Sequence, residues 1–198
     1  EGLFEAWSNL YTKFAKAITL REAGKPIDFW YPGIEAGVTN VRHLQNLDAS
    51  VSNVGTGITS AKLYADLDWK DKFDDSSNWN TKSIDVGAKG GSTNKSFYGI
   101  ENPSLTDFDG QGHTVSLEIN GTEWFDSLFD TIDGGAVIRN LKVAGSIRSE
   151  CSGTIVHYLQ SGTVENCSFN GTVIVTGSFY GAGGLIAHQY GGTVINCT

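Results

Sequence analysis

The stretch GLIAHQYGGTVINC (184–197) joins two phrases that each occur three times in the last third of the chain. One phrase is built around an asparagine, and its copies read GAVIRNLKVAGSI (135–147), SGTVENCSFNGTV (161–173) and GGTVINCT (191–198). The other phrase precedes each copy and begins at Ser127, Gly153 and Gly184. Linked phrases that recur in this way are typical of repeat architectures, in which each unit buries its apolar face on a neighbouring unit.

Each copy alternates apolar and polar residues, as in Leu141-Lys142-Val143. This period of two is typical of a β-strand, and β-branched residues such as Val173 and Val175 favour the strand further. Glycine occurs at 25 positions and interrupts the windows that a helical repeat would need. Short strands that are separated by glycine and return at a regular interval predict an all-β fold, namely a parallel β-solenoid.

An asparagine holds the same position in every copy, at Asn140, Asn166 and Asn196. A corner between two strands of a coil requires a left-handed backbone, which asparagine tolerates better than other non-glycine residues. We therefore expect these side chains to stack in a ladder of amide hydrogen bonds. The residues just after the asparagines are expected to form an inward-facing column: Leu141, Cys167 and Cys197.

The pattern G-(L/I)-(I/V)-x-x-x-x-G-G-T-V-x-N-C, seen at 184–197, resembles the GLUG-type repeats of bacterial cell-surface proteins. The resemblance covers about 120–198, and FDGQGHTVS (108–116) is similar to a first β-helical coil of the same families. It implies a right-handed parallel β-helix of the pectin-lyase-like type, located outside the cell at its surface. Because β-helices host many activities, the resemblance implies a fold more strongly than a function.

The N-terminal part, residues 1–58, is predicted to be a helical cap and lead-in ahead of a β-helix over 59–198. An apolar stripe at helical spacing predicts a helix over 1–22, which we expect to cap an open end of the solenoid. The stripe consists of Leu3, Trp7, Leu10, Phe14 and Ala17. A short second helix is expected at about 40–48, and the first strand at 60–69.

A polar, glycine-rich stretch follows at 70–96. A loop of this length inside a compact domain is usually functional or mobile, and tryptophans beside carboxylates suit contact with carbohydrate. The alternative is a solvated insertion that projects from one coil. The candidate contact residues are Trp69, Asp71, Asp74, Asp75 and Trp79.

Residues 107–118 match most of an EF-hand calcium loop, with Asp107, Asp109, Gly112 and Glu118 at matching positions. Gln111 departs from that pattern, and a glycine corner before a strand explains the stretch better than a loop between helices. We therefore predict no metal and no cofactor.

No catalytic group has a spacing that the sequence supports. Asp126, Asp130 and Asp133 form an acidic cluster, while His157 and His188 hold comparable repeat positions and are interpreted as polar members of the repeat. Cys151, Cys167 and Cys197 match no zinc or redox pattern, which favours free thiols. A disulfide between Cys167 and Cys197 is an alternative, because adjacent coils are close enough for one.

The net charge of −8 argues against nucleic acid as a partner, and no run of about 18 apolar residues predicts a membrane span. The first hypothesis is a non-catalytic extracellular module, an adhesin or stalk segment of a bacterial cell-envelope protein that contacts a host or cell-wall glycan or protein. The alternatives are a fragment of a carbohydrate-active β-helix and accessory repeats of a surface peptidase. Since the last repeat stops in mid-unit at Thr198, we expect further coils or self-association at that end.

Overall fold

A computed structural model describes residues 36–39, 41–45, 47–48, 58–68, 99–120, 127–150, 152–177 and 182–198. The fold is a β-solenoid of about four turns. Its strands in chain order are β1 (Ala36–Val38), β2 (Ser60–Leu63), β3 (Leu67–Asp68), β4 (Asp107–Asp109), β5 (Thr114–Asn120), β6 (Phe129–Ile132), β7 (Val137–Arg139), β8 (Lys142–Ser149), β9 (Val156–Leu159), β10 (Thr163–Glu165), β11 (Ser168–Val175), β12 (Ile186–Gln189) and β13 (Thr193–Ile195).

The strands form three parallel sheets that surround one apolar interior. We call them sheet A (β1-β2-β4-β7-β10-β13), sheet B (β3-β5-β8-β11) and sheet C (β6-β9-β12). A complete coil passes through A, then B, then C. The all-β, parallel prediction is therefore confirmed.

Equivalent residues of successive coils lie directly beside one another. In sheet A, for example, Val164 pairs with Ile138 on one side and with Val194 on the other. Because side chains alternate across a strand, this register places apolar side chains in continuous inward columns. Phe108, Ile138 and Val164 are fully buried in one such column, whereas Val194, at its end, is 38% exposed.

The columns expected after the asparagine corner are also present. Leu141 and Cys167 are fully buried, and Cys197 packs half-buried against the same interior. Val143 pairs with Phe169 in the next column, where Phe169 is half-buried. The interior is therefore complete in the middle coils and uncovered at the last coil.

The predicted alignment of the second phrase is wrong by one residue. The sequence alignment placed Gly153 opposite Ser127 and Gly184, whereas sheet C pairs Phe129 with Val156 and Val156 with Ile186. The inward positions decide the register, because Val156 and Leu159 must face the interior. His188 consequently lies beside Tyr158, and His157 lies one position earlier, beside Ala187.

The first strand of sheet A lies earlier than the sequence predicted. β1 pairs with β2 although it falls in the expected lead-in, and the predicted strand at 60–69 is split into β2 and β3. A five-residue helix, α1 (Val41–Gln45), packs on β1 within the range 40–48. The predicted helix at 1–22 lies outside the described residues. Within the described ranges, no helix has the length and apolarity needed to cross a membrane.

One prediction compares valine-to-alanine substitution at a buried position and at a partly exposed position of the same inward column. Val164→Ala should lower the free energy of unfolding by about 2 kcal/mol, because it leaves a cavity between two paired coils. Val194→Ala should cost clearly less, because its side chain already contacts water. Urea denaturation of both variants measures the difference, and equal losses would show that Val194 is as well covered as Val164.

Candidate functional site

The asparagine ladder runs along the corner between sheets A and B. Asn140, Asn166 and Asn196 each have φ of 52°, the left-handed conformation expected of them. The amide Nδ2 of Asn196 donates to Oδ1 of Asn166 at 3.4 Å, and Nδ2 of Asn166 donates to Oδ1 of Asn140 at 3.4 Å. Asn140 in turn donates to Oδ1 of Asp109 at 3.0 Å. The ladder thus links four successive coils by side-chain bonds.

A shallow groove of about 340 Å³ follows this ladder. Amide, hydroxyl and ammonium groups lie in its walls beside a larger area of apolar surface, and the asparagine amides repeat at the coil spacing of about 4.8 Å. Such a surface can exchange hydrogen bonds with an extended polar chain but offers no carboxylate of its own. Its lining residues are Gly112, Asn140, Lys142, Asn166, Cys167, Ser168, Asn196 and Thr198.

Charged side chains on the outer face of sheet A alternate in sign from coil to coil. The register places Lys62, Asp109, Arg139 and Glu165 in one column. The Arg139 guanidinium lies 2.9 Å from Oδ2 of Asp107 and 3.4 Å from Oδ2 of Asp109. Opposite charges on neighbouring strands attract and like charges repel, so this column stabilises the observed strand register.

The calcium alternative for 107–118 does not fit this arrangement. The carboxylates of Asp107 and Asp109 bind Arg139, and Oδ1 of Asp109 also accepts the Gln111 N–H at 2.9 Å. Two expected ligands are thus occupied by a cation of the chain itself. Among the described residues, no cluster of three or more His, Cys, Asp or Glu side chains has the geometry to hold a metal ion.

Three aspartates, Asp66, Asp109 and Asp133, have lowered pKa values, which favour their ionised form. The pKa of Asp66 is lowered first by the hydrogen bond that its carboxylate accepts from the Thr114 N–H at 2.8 Å. The hydrogen bond with His113 lowers it further. Burial raises the pKa of Asp109, but hydrogen bonds from Asn140 and Gln111 outweigh it, so that this pKa is also lowered. A general acid requires the opposite shift. These carboxylates therefore act as hydrogen-bond acceptors between coils.

A second groove, of about 300 Å³, lies at the corner between sheets C and A and includes Glu101, Asn102 and Asp133. The Ser161 hydroxyl donates to Asp133 at 2.6 Å and, with the Gly134 N–H, lowers the pKa of that carboxyl. Nδ2 of Asn102 donates to the Leu47 carbonyl at 2.8 Å. The polar groups of this groove thus hold one segment to the next.

The clearest feature that sequence reasoning missed is an imidazole and phenol cluster on sheet C. The rings of Tyr158 and His188 stack with centroids 5.2 Å apart, and Tyr190 stacks on His188 at 6.1 Å. The His157 and His188 ring centroids lie 5.4 Å apart. The one-residue alignment error hid this cluster, because only the correct register places His188 beside Tyr158.

The two cysteines of the inward column are free thiols. The Cys167 N–H donates to Sγ of Cys197 at 3.4 Å, and Sγ of Cys197 contacts the Val164 carbonyl. Burial raises the pKa of Cys167 to about 12. Because the thiolate is the nucleophilic form, Cys167 is a packing residue and not a nucleophile. Cys151 lies outside the described residues.

The candidate carbohydrate-contact residues also lie outside the described residues: Trp69, Asp71, Asp74, Asp75 and Trp79. Of the acidic cluster, Asp126 lies outside as well, and Asp130 and Asp133 belong to or follow β6. The structure therefore brings together the residues of the asparagine ladder and those of the inward column. Contact between the loop residues and carbohydrate stays a prediction.

Comparisons with models of protein families, with curated proteins and with solved structures find no match for this chain. The resemblance to GLUG-type repeats therefore stands on the repeated phrases alone.

A second prediction concerns pH. Burial, together with the neighbouring His188, lowers the pKa of His157 to about 4, whereas the ordinary value is 6.5. Between these values the unfolded chain binds a proton that the folded chain does not. The part of the free energy of unfolding that depends on His157 should therefore be constant above about pH 6.5 and fall as the pH drops toward 4. Urea unfolding across this range should show the decline in the parent, and His157→Gln should flatten it.

His113→Gln is the control: it removes the bond to Asp66 at 3.1 Å and so changes the absolute stability, but it leaves His157 in place and should keep the decline. The same slope in the parent and in His157→Gln would contradict the assignment to His157.

A third prediction separates backbone and side-chain contributions at the ladder. Asn166→Ala forces alanine into a left-handed conformation, at a cost of about 1–2 kcal/mol, and also removes the amide bonds. Asn166→Gly removes the same bonds but adopts this φ without steric cost. Thermal unfolding should therefore rank the alanine variant below the glycine variant. The reverse order would show that the corner does not constrain φ.

Proposed function

We propose that the chain is a rigid, non-catalytic extracellular module, a stalk or adhesin segment of a bacterial cell-envelope protein. The observation that carries the proposal is the unbroken pairing of sheet A from β1 to β13, with the ladder and the inward columns parallel to it. Each coil is bonded to the next by backbone, side-chain and packing contacts. A chain built in this way resists bending and holds attached domains at a set distance.

The length of the module follows from the coil spacing. Six paired strands in sheet A at about 4.8 Å per step span roughly 24 Å along the axis. Each further coil of the same pattern adds one step, so length grows with repeat number without a new fold. This property suits a spacer at a cell surface.

The use of polar groups supports the non-catalytic part of the proposal. Asp66, Asp109 and Asp133 accept hydrogen bonds that join neighbouring segments, and their lowered pKa values keep them ionised. Polysaccharide hydrolysis needs a carboxyl that stays protonated to donate its proton. The best-placed carboxylates are thus committed to structure.

Two finer features belong to the same proposal. We expect the coils to wind in a right-handed sense, as the resemblance to pectin-lyase-like β-helices implies, and residues 1–22 to cap the solenoid. The apolar stripe of 1–22 supports the cap, because an interior end must be shielded from water. Deletion of 1–22 should lower the unfolding temperature, and an unchanged temperature would contradict the cap.

The fourth prediction tests location and chemistry together. On intact cells of the source organism, a membrane-impermeant amine reagent should label the protein. The purified chain should bind cell-wall or host glycans without releasing products, and Trp69→Ala with Trp79→Ala should weaken the binding. Trp124→Ala, which changes a tryptophan outside the candidate contact residues, is the control and should leave the binding unchanged. Product release that depends on an aspartate would favour the carbohydrate-active alternative, and labelling only after lysis would contradict the surface location.

A further inference from the structure

Cys167 and Cys197 occupy equivalent positions of two adjacent coils. Each directly follows an asparagine of the ladder, and the strands that precede them, β10 and β13, pair in register. The pairing continues through the corner on both sides of the cysteines. The Asn166 N–H donates to the Ile195 carbonyl at 2.9 Å, and the Thr198 N–H donates to the Cys167 carbonyl at 3.1 Å. The two cysteines therefore lie opposite each other.

The side chains of the two cysteines also interact. Sγ of Cys197 accepts a hydrogen bond from the Cys167 N–H at 3.4 Å. Burial raises the pKa of Cys167 first, and the neighbouring Cys197 thiol raises it further through its charge and through a hydrogen bond. Both cysteines are thiols here, so the structure shows the reduced form. Two sulfur atoms of adjacent coils thus lie within reach of each other.

The spacing of paired parallel strands suits a disulfide. Neighbouring strands lie about 4.8 Å apart, and bonded cysteines have Cα atoms about 4.4–6.8 Å apart. Because equivalent residues of a parallel pair project to the same side, Cys167 and Cys197 both pack against the interior. A bond between them therefore requires rotation of the two side chains and no shift of the strand register.

Charge links one pair of coils but not the other in the outer column of sheet A. Between β4 and β7, Nε of Arg139 lies 3.4 Å from Oδ2 of Asp109. Between β10 and β13, the paired residues are Glu165 and Ile195, which cannot form an ion pair. A covalent bond at the adjacent corner would therefore fasten two coils that this column does not.

We propose that Cys167 and Cys197 form a disulfide when the chain folds in the presence of a small-molecule disulfide, and that this bond fastens two successive coils of the stalk. The inference rests on the proposed function, because thiols outside the cell meet oxidising conditions. The bond closes a loop that spans 30 residues. Tension on the chain can then no longer separate these two coils.

The bond forms by two thiol–disulfide exchanges. Before burial, the Cys167 thiolate attacks one sulfur of the small-molecule disulfide, which gives a mixed disulfide and releases one small thiol. When β13 pairs with β10, the Cys197 thiolate attacks Sγ of Cys167 and releases the second small thiol. Two protein thiols are thus oxidised, one small disulfide is reduced, and the two protons end on the released thiols. Cys167 need not ionise inside the folded interior, where burial raises its pKa to about 12.

The fifth prediction concerns the redox state after refolding. The reduced 198-residue chain is refolded from urea in a mixture of oxidised and reduced glutathione and is then alkylated. Cleavage after Glu165 and after Tyr180 separates the three cysteines for mass spectrometry. Cys167 and Cys197 should be recovered as one cross-linked pair, with Cys151 alkylated.

Two serine variants are compared with this parent. Cys197→Ser should leave Cys167 without a partner in the chain, as an alkylated thiol or a glutathione adduct. Cys151→Ser is the matched control and should keep the cross-linked pair. Circular dichroism of both variants separates a lost bond from lost folding.

A pulling measurement tests the consequence for the stalk. Single molecules are held through protein tags at both ends and stretched until they are fully unfolded. Oxidation should shorten the final contour length by the closed loop, roughly 100 Å for 30 residues of extended chain. The same shortening is expected for Cys151→Ser, whereas the reduced parent and Cys197→Ser should extend fully.

Three results would overturn the proposal. They are a refolded parent in which Cys167 and Cys197 are both alkylated, a cross-linked pair that includes Cys151, and an equal contour length before and after oxidation. The surface location is measured on intact cells and not by refolding, so the two proposals fail separately. A disulfide in the refolded chain, together with labelling of cells only after lysis, would contradict the location alone.

Discussion

Parallel pairing between equivalent residues of successive coils is the constraint on which the rest of this structure depends. Once Val164 lies between Ile138 and Val194, each remaining residue of that strand lies beside the equivalent residue of the neighbouring coil. The interior therefore consists of columns of equivalent side chains. A slip of the strand pairing by one residue would move inward side chains to the surface. Stability along the axis comes from repetition of one local contact.

The same constraint decides which polar residues can repeat. An amide both donates and accepts, so asparagine can follow asparagine in a ladder, as at Asn140, Asn166 and Asn196. A charged residue cannot follow one of its own sign without repulsion. The outer face of sheet A accordingly alternates through Asp109, Arg139 and Glu165. Identical amides along the exposed corner and alternating charges on the outer face of sheet A are two solutions to one geometric condition.

The sequence predicted the solenoid, the ladder and the inward column, because the asparagine phrase marks a backbone corner that few residues can occupy. It misaligned the second phrase, since Gly153 resembles Gly184 in type while the inward Val156 and Ile186 decide the register. β1 was missed because three residues show too little alternation to predict a strand. The aromatic cluster and the charge column depend on register between coils, which no single window of sequence contains.

Differences in coil length collect at one corner of the solenoid. The connections from sheet A to sheet B stay short, whereas those from sheet B to sheet C differ in length, running from Asn120 to Phe129, from Ser149 to Val156 and from Val175 to Ile186. A coil can thus gain or lose residues there without disturbing the pairing on either side. The strand pairing thus stays the same from coil to coil while the connections between sheets B and C vary in length. These connections are therefore the place to graft foreign peptides for display at the coil spacing.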